Sequence, residues 1–197
     1  NQTLESIDSI KFSMFFAGAV ANHQPTFKYV EKDSVYGFRN YKTLTKYGQY
    51  FAKLIAQNQQ KFNMKENVEL DYIKVEFPLP SPQVKLSDKL GFRPWVFYTL
   101  MGKHRASLDC FRLGNLVFIG TPCDASGEFY RELEPIARKD GLELILTSFN
   151  GEYIGYIIPD NHYLIAKSEA REMNWYGPVM GSHLVHFIKN ILHEVPR

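Results

Sequence analysis

The chain has 197 residues, 45% hydrophobic and 15% aromatic, enough for one well-packed domain and too few for two comfortable ones. Its 23 basic and 21 acidic residues are interspersed and leave a net charge of +2, so no basic stripe exists of the kind that holds a nucleic-acid backbone. The longest charge-free apolar run, Phe12–Asn22, is too short to cross a bilayer, and the polar Asn1–Asp8 does not read as a signal peptide, which leaves open one removed or lying upstream.

Ile10–Val20 is almost continuously apolar and predicts a strand buried on both faces. Such a strand needs neighbours on both sides, and the few residues before it point to a chain that is part of something larger. The turn Ala21–Pro25 follows, with His23 as a loop residue. Thr43–Gln60 predicts an amphipathic helix, with Leu44, Tyr47, Phe51, Leu54 and Ile55 at the i, i+3, i+4 spacing of an apolar face. Val68–Phe77 alternates, but its apolar parity switches near Tyr72, which predicts a bulge or burial on both faces. Pro78–Pro82 ends that strand. Ser81–Arg105 is turn-rich and carries Trp95, Phe97, Tyr98 and His104; a long stretch without a period has the form of a binding loop or lid.

Ala106–Leu113 and Leu116–Ile119 predict a hairpin about Gly114-Asn115. Cys110 would then face a residue near Ile119 rather than Cys123, so a disulfide between the two cysteines is not expected, and their spacing makes no zinc motif. The stretch Leu116–Glu128, LVFIGTPCDASGE, reads as a buried strand that breaks at Gly120-Thr121-Pro122 and then enters a helix. Asp124 falls at the strand's C-terminal end beside a helix N-terminus, where open α/β sheets place their ligands. A plain capping role for Asp124 or Ser126 fits the same pattern. Glu128–Lys139 predicts a helix closed by Gly141, kinked or starting late because of Pro135. Leu142–Thr147 is a third buried strand, Asn150-Gly151 a hairpin turn, and Tyr153–Ile158 the return strand, ended by Pro159. Asp160–Met173 is a polar connection of helical character, and Asn174–Pro178 a sharp turn carrying Trp175 and Tyr176. Ser182–Glu194 predicts an amphipathic helix on Leu184, Phe187, Ile188, Ile191 and Leu192, with His183 and His186 on its solvated side. The fold class is mixed α/β (α+β): a mixed sheet with hairpins and flanking helices. Repeats, linkers and the common nucleotide- and metal-binding motifs are absent, so local pattern alone names no activity.

Three blocks carry a resemblance: GTPCDASGE, TSFNGEYIGYIIP and NHYLIAKSEAREMNWYGP. In this order the chain resembles the neutral/alkaline (non-lysosomal) ceramidase family, and more narrowly its shorter bacterial members. The resemblance covers roughly Leu116–Gly181, with FFAGAVANHQP similar to the segment that carries the family's serine. It implies that residues 1–197 form a single domain, the C-terminal part of a ceramidase-like catalytic domain, and that the activity is hydrolysis of the amide of an N-acyl sphingoid-like or other lipid amide. It implies one zinc ion, with Asp124 standing where the family has a ligand glutamate and Tyr163 where it has a ligand tyrosine. The histidine ligands are then expected from a missing upstream segment. Tyr176 matches a second tyrosine beside the scissile amide, a catalytic hydroxyl suited to donate to the developing oxyanion. Gln24 stands where the serine would be and cannot act as a nucleophile, which leaves zinc-activated water, a loose match at that turn, or lost activity. The partners implied are a lipid amide and the upstream half of the same catalytic domain, with no nucleic acid and no transmembrane segment. A secreted, periplasmic or cell-surface location is expected from the family. The alternatives are a non-catalytic lipid- or glycan-binding module on the same scaffold, motivated by Gln24 and the aromatic Phe92–Tyr98 segment, and a structural fragment.

Overall fold

The computed structural model describes residues 13–21, 41–58, 61, 66–87, 90–164 and 172–195. Two compact units divide the chain: Asn1–Phe16 with Gln24–Asn67, and Ala17–His23 with Val68–Arg197. In the first unit the described element is helix α1 (Tyr41–Asn58), as its apolar spacing predicts. The side chain of Leu44, and residues Gln59 and Gln60, lie outside the described residues. Tyr47 and Phe51 meet edge to face at 4.8 Å, but Phe51 and Leu54 are exposed; among the described side chains of the helix the buried one is the small Ala52.

The second unit is built on a four-stranded sheet in the order β1 (Leu70–Phe77), β2 (Ala106–Leu113), β3 (Leu116–Gly120), β5 (Glu143–Thr147). The first three strands are antiparallel, and β5 runs parallel to β3, so the sheet is mixed. The hairpin turns at Gly114, whose φ of 62° suits glycine, and Cys110 pairs with Ile119 as the turn length requires. Pairing places Ile73, Cys110 and Ile119 in one row across β1 to β3, and Val117 beside Leu144. These side chains line the inward face with Leu108 and Leu146. Helices α3 (Glu128–Lys139) and α5 (Met180–Glu194) supply the opposing layer through Phe129, Leu133 and Ala137, and through Leu184, Ile188 and Ile191. Each of these Phe, Leu and Ile side chains contributes roughly 1.5–3 kcal/mol on leaving water.

Several expectations need correction. Among Ser13–Val20 no regular strand forms: a single antiparallel bridge joins Gly18 to Thr147, and Met14, Phe15 and Phe16 are exposed. Ile10–Phe12 lie outside the described residues, as do His23 and Gln24. β1 has no bulge; it pairs with β2 without interruption and alternates, with Ile73, Val75 and Phe77 inward. The apparent parity switch arises because Leu70 and Tyr72 sit on its outward face, where the Tyr72 hydroxyl donates to Asp109 at 2.5 Å. The turn-rich Ser81–Arg105 segment contains a two-turn helix, α2 (Pro94–Met101), started by Pro94 in its first turn, where a missing N–H costs nothing. α3 begins at Glu128 and runs unbroken past Pro135, closed by Gly141 at φ 75°.

The larger correction concerns Asn150-Gly151. It does not close a hairpin back onto β5. Phe149 turns the chain at φ 63°, and the backbone N–H groups of Phe149, Asn150 and Ile154 donate to Cys123, Thr121 and Pro122. The return strand, β6 (Tyr156–Ile157), lies parallel to β4 (Asp124–Ala125) in a separate two-stranded sheet. His183 is also less solvated than its helix face predicts: its Nε2 sits 2.9 Å from the Pro78 carbonyl, and its ring meets Phe77 and Phe187.

Both cysteines are free and buried. Burial pushes the thiol pKa of Cys110 up to about 11, and burial with the nearby Asp124 charge pushes that of Cys123 up to about 12 despite a bond from Thr121. We expect neither thiol to react with a thiol reagent at neutral pH in the folded protein, and both to react once it is denatured; rapid native-state labelling would contradict the burial. Leu108→Ala, at a fully buried position, should cost about 2–5 kcal/mol in urea unfolding. Leu70→Ala, on the outward face, should stay within about 0.5 kcal/mol.

Candidate functional site

Three loops interlock at the end of the sheet. After β3 the segment Thr121–Ser126 finds its backbone partners at the end of β5 and in the segment after it: Thr121 N–H donates to Thr147 O at 2.8 Å, Asp124 N–H to Gly155 O at 3.0 Å, and Ser126 N–H to Ile157 O at 2.9 Å. Tyr156 N–H in turn donates to Met173 O at 3.0 Å, which fastens the third loop. Gly155 is required at this crossing. Its φ is 85°, and a Cβ there would lie 2.3 Å from Met173 O and 3.0 Å from the Trp175 ring.

Asp124 is buried within β4, opposite Tyr156. It does not cap α3. That helix starts after Gly127, and Ser126 Oγ accepts from Glu128 N–H at 3.3 Å. Tyr163 ends the short helix α4 (Asp160–Tyr163) and is 1% exposed. Its hydroxyl donates to the Gln83 carbonyl at 3.2 Å, and Lys85 Nζ lies 4.7 Å from its ring centroid. α4 is pinned to α5 by Asp160, which accepts from the backbone and hydroxyl of Ser182.

Tyr176 is buried in the turn after Asn174, with its hydroxyl 2.8 Å from His104 Nδ1. The His104 ring stacks on Trp175 at 5.7 Å and 19°, and Phe97 closes over both Trp175 and Tyr176. Burial, with lesser contributions from the charges of Tyr98 and Glu152, raises the Tyr176 phenol above the usual tyrosine range. The phenol is therefore a firmly protonated donor. If the His104 proton is on Nδ1, it donates to Tyr176 and leaves the phenol proton for a ligand; the other tautomer accepts that proton.

The structure joins Tyr163 and Tyr176 through one strap. Gln83 accepts from Tyr163, its N–H donates to Trp175 O at 2.6 Å, and its side chain lies 3.0 Å from where a Cβ on Gly177 would stand. Asp124 reaches the same neighbourhood by its backbone, through Gly155 against Trp175. His104, Gln83 and Asn174 were not singled out from the sequence. His104 gave a weak signal as the histidine of the aromatic 81–105 segment, and Gln83 gave none. Asn174 is 1% exposed, and its Oδ1 meets no donor among the described residues, an arrangement that ordinarily costs about 1–3 kcal/mol.

Asp124 has the chemistry of a metal ligand, a buried carboxylate. Tyr163 as placed gives its proton to a carbonyl and would have to release it to bind a cation. Among the described residues no group of three or more His, Cys, Asp or Glu side chains is placed to hold a metal ion, so these two supply fewer donors than the four zinc usually takes.

The elements define a mixed α/β unit whose sheet-end loops enclose a histidine–aromatic cluster. No protein-family model and no curated protein matches the sequence. Among solved structures the fold is similar to neutral ceramidase from Pseudomonas aeruginosa, with a TM-score of 0.58, 12% identity, and coverage of 85% of this chain and 36% of that one. A ceramidase complexed with C2 aligns at 16% identity over 44% of this chain and 14% of that one, with a TM-score of 0.40. The likeness to the first is one of fold, and the chain spans 36% of that structure's length.

The raised Tyr176 pKa has a defined sign. The folded state holds this proton more tightly than the unfolded state, so its contribution to stability is fully present below the unfolded pKa of about 10 and falls as pH rises above it. In a spectroscopic titration the Tyr176 phenol should ionise above the usual tyrosine range. Tyr176→Phe should flatten the alkaline loss of stability, and an unchanged profile would place that proton elsewhere.

Proposed function

We propose that this chain forms the C-terminal part of a zinc-dependent amide hydrolase of ceramidase type, acting on an N-acyl sphingoid-like or other lipid amide. The observation that carries the proposal is the interlock. The three stretches that resemble the ceramidase family bind one another by backbone hydrogen bonds, from Asp124 to Gly155 and from Tyr156 to Met173. The fold likeness to a neutral ceramidase supports the same reading.

On this proposal Asp124 and Tyr163 would be two of the ligands of one zinc ion, with histidines of an upstream segment completing the set. A zinc ion so bound supplies a Lewis acid for the amide carbonyl. Tyr176 donates its phenolic proton to the oxygen that gains charge, and a donor already held in place needs little reorganisation as that charge develops. His104 is a positioning residue that fixes the phenol's direction. Phe97 and Trp175 keep water from the Tyr176–His104 pair, which strengthens the bond Tyr176 makes.

The test is turnover of an N-acyl sphingosine analogue by the intact protein, with bound zinc measured on the same sample. Tyr176→Phe should lower kcat on the order of 10²-fold and leave KM nearly unchanged. Asp124→Ala should lose both zinc and activity. Full turnover by Asp124→Ala would remove the mechanism. A second reading, a non-catalytic lipid-binding module, is favoured by a cleft of about 370 Å³ that runs from Leu90 and Phe92 past Arg93 and Lys85 to Tyr163. Tight binding of the analogue without turnover would select it.

A further inference from the structure

Asn150-Gly151 closes no hairpin, yet the pair keeps a chemistry of its own. It is the one Asn-Gly pair in the sequence. When glycine follows asparagine, the next peptide nitrogen can attack the side-chain amide with no Cβ in the way of ring closure. The fold gathers around this pair the groups such a reaction uses. Thr147 Oγ1 donates to Asn150 Oδ1 at 2.8 Å, closer than its 3.4 Å approach to Ile119 O. Asn150 Nδ2, the nitrogen that would leave, and Gly151 N–H, the group that would attack, have no hydrogen-bond partner among the described residues. Gly151 is exposed, with φ 71°.

A proton acceptor stands nearby. Asp109 Oδ2 is 3.9 Å from the position a Cβ on Gly151 would take, while Asp109 Oδ1 accepts from the Tyr72 hydroxyl. The peptide whose nitrogen must lose a proton therefore has a carboxylate beside it. The chain is held on both sides of the pair. Asn150 N–H donates to Thr121 O at 2.9 Å, and the Glu152 carboxylate accepts from Arg105 N–H at 2.8 Å. A hydroxyl aimed at an amide oxygen supports charge that builds there, and a carboxylate in reach of the nucleophile can carry its proton.

We propose that Asn150 is a self-modification site, at which the folded protein converts the side-chain amide to an acid through a cyclic imide. Gly151 N bonds to Asn150 Cγ, and its proton passes by way of Asp109 to Nδ2, which leaves as ammonia. Charge that builds on Oδ1 in between meets the Thr147 hydroxyl. Water then adds to one of the two imide carbonyls and breaks that carbon's bond to Gly151 N. Opening at the former side-chain carbon leaves aspartate at position 150. Opening at the former main-chain carbon leaves isoaspartate, in which the main chain runs through Cβ and Cγ and is one carbon longer. No electrons are exchanged, and water is the co-reactant. The longer chain falls between Thr147 and Ile157, so the isoaspartate form shifts the carbonyls that receive Asp124 and Ser126 and unseats Trp175 from Gly155. None of the groups assigned to amide hydrolysis takes part, and the inference stands or falls separately from that reading.

The experiment is incubation of the intact protein under mildly alkaline conditions. Peptide mass analysis reads the amide-to-acid exchange, and enzymatic methylation specific for isoaspartate reads the rearranged product. The folded protein should gain both products at Asn150 before any other asparagine reacts. Thr147→Val and Asp109→Asn should each slow the reaction about tenfold in the folded state, the effect of losing one hydrogen bond to a charged group. In denaturant the wild type and both variants should react at one rate. The isoaspartate fraction should unfold at lower urea with altered tryptophan emission, and Asn150→Asp should show neither change. Unfolding midpoints show which variants fold, and Asp109→Asn keeps the test intact should Thr147→Val fail to. An unmodified Asn150 in folded protein while a denatured sample converts, or equal rates in the folded wild type and the folded variants, would each overturn the proposal.

Discussion

Backbone groups buried at the end of a sheet must find partners, and here they find them in one another's loops. Past Gly120 the chain has left β3 but is still enclosed, so the N–H groups of Thr121, Asp124 and Ser126 cannot turn to water. They are satisfied by carbonyls of Thr147, Gly155 and Ile157. That requirement takes the chain after β5 away from its neighbour strand and into β6, and it fixes where Asp124 and the turn bearing Trp175 and Tyr176 stand. Gly120 makes room for the crossing, since a Cβ there would lie 2.7 Å from the Asn150 side chain.

The cluster around His104 depends on the same arrangement. Trp175 is held from below by Gly155 and from the side by Gln83, and it gives His104 a flat surface on which to lie. Tyr176 then has one partner at hydrogen-bond distance and a wall of rings, which is the setting of a donor that keeps its proton. The sheet thus shapes the polar chemistry at a distance, through hydrogen bonds that involve no functional side chain.

Much of the sheet was legible in the sequence. Apolar runs bounded by glycine and asparagine gave β2, β3 and the Cys110–Ile119 register, and the stretch Glu128–Lys139 closed by Gly141 gave α3 with its correct ends. The misreadings share a cause. Asn150-Gly151 carries a hairpin signal in its local chemistry, but the Asn150 side chain is spent on Thr147 Oγ1 at 2.8 Å and its N–H on Thr121, a tertiary demand that no local pattern records. Leu70 and Tyr72 look like core positions on an outward face. α2 was hidden because an eight-residue apolar helix has no period to detect. At the site, Tyr163 and Tyr176 were marked by resemblance alone, and Gln83, which ties them together, acts mostly through backbone atoms, on which sequence is silent.

The interlock also restricts how the chain can change in length. A residue added between Thr147 and Ile157 would put the carbonyls of Gly155 and Ile157 out of step with Asp124 and Ser126 and swing Trp175 off its glycine. An addition at the Gly114-Asn115 turn would disturb two strand ends and the turn's hydrogen bonds to Glu69 and Glu143. Natural or engineered insertions should avoid the crossing, so the spacing of residues 147–157 is a more durable mark of this architecture than the identity of most side chains it carries.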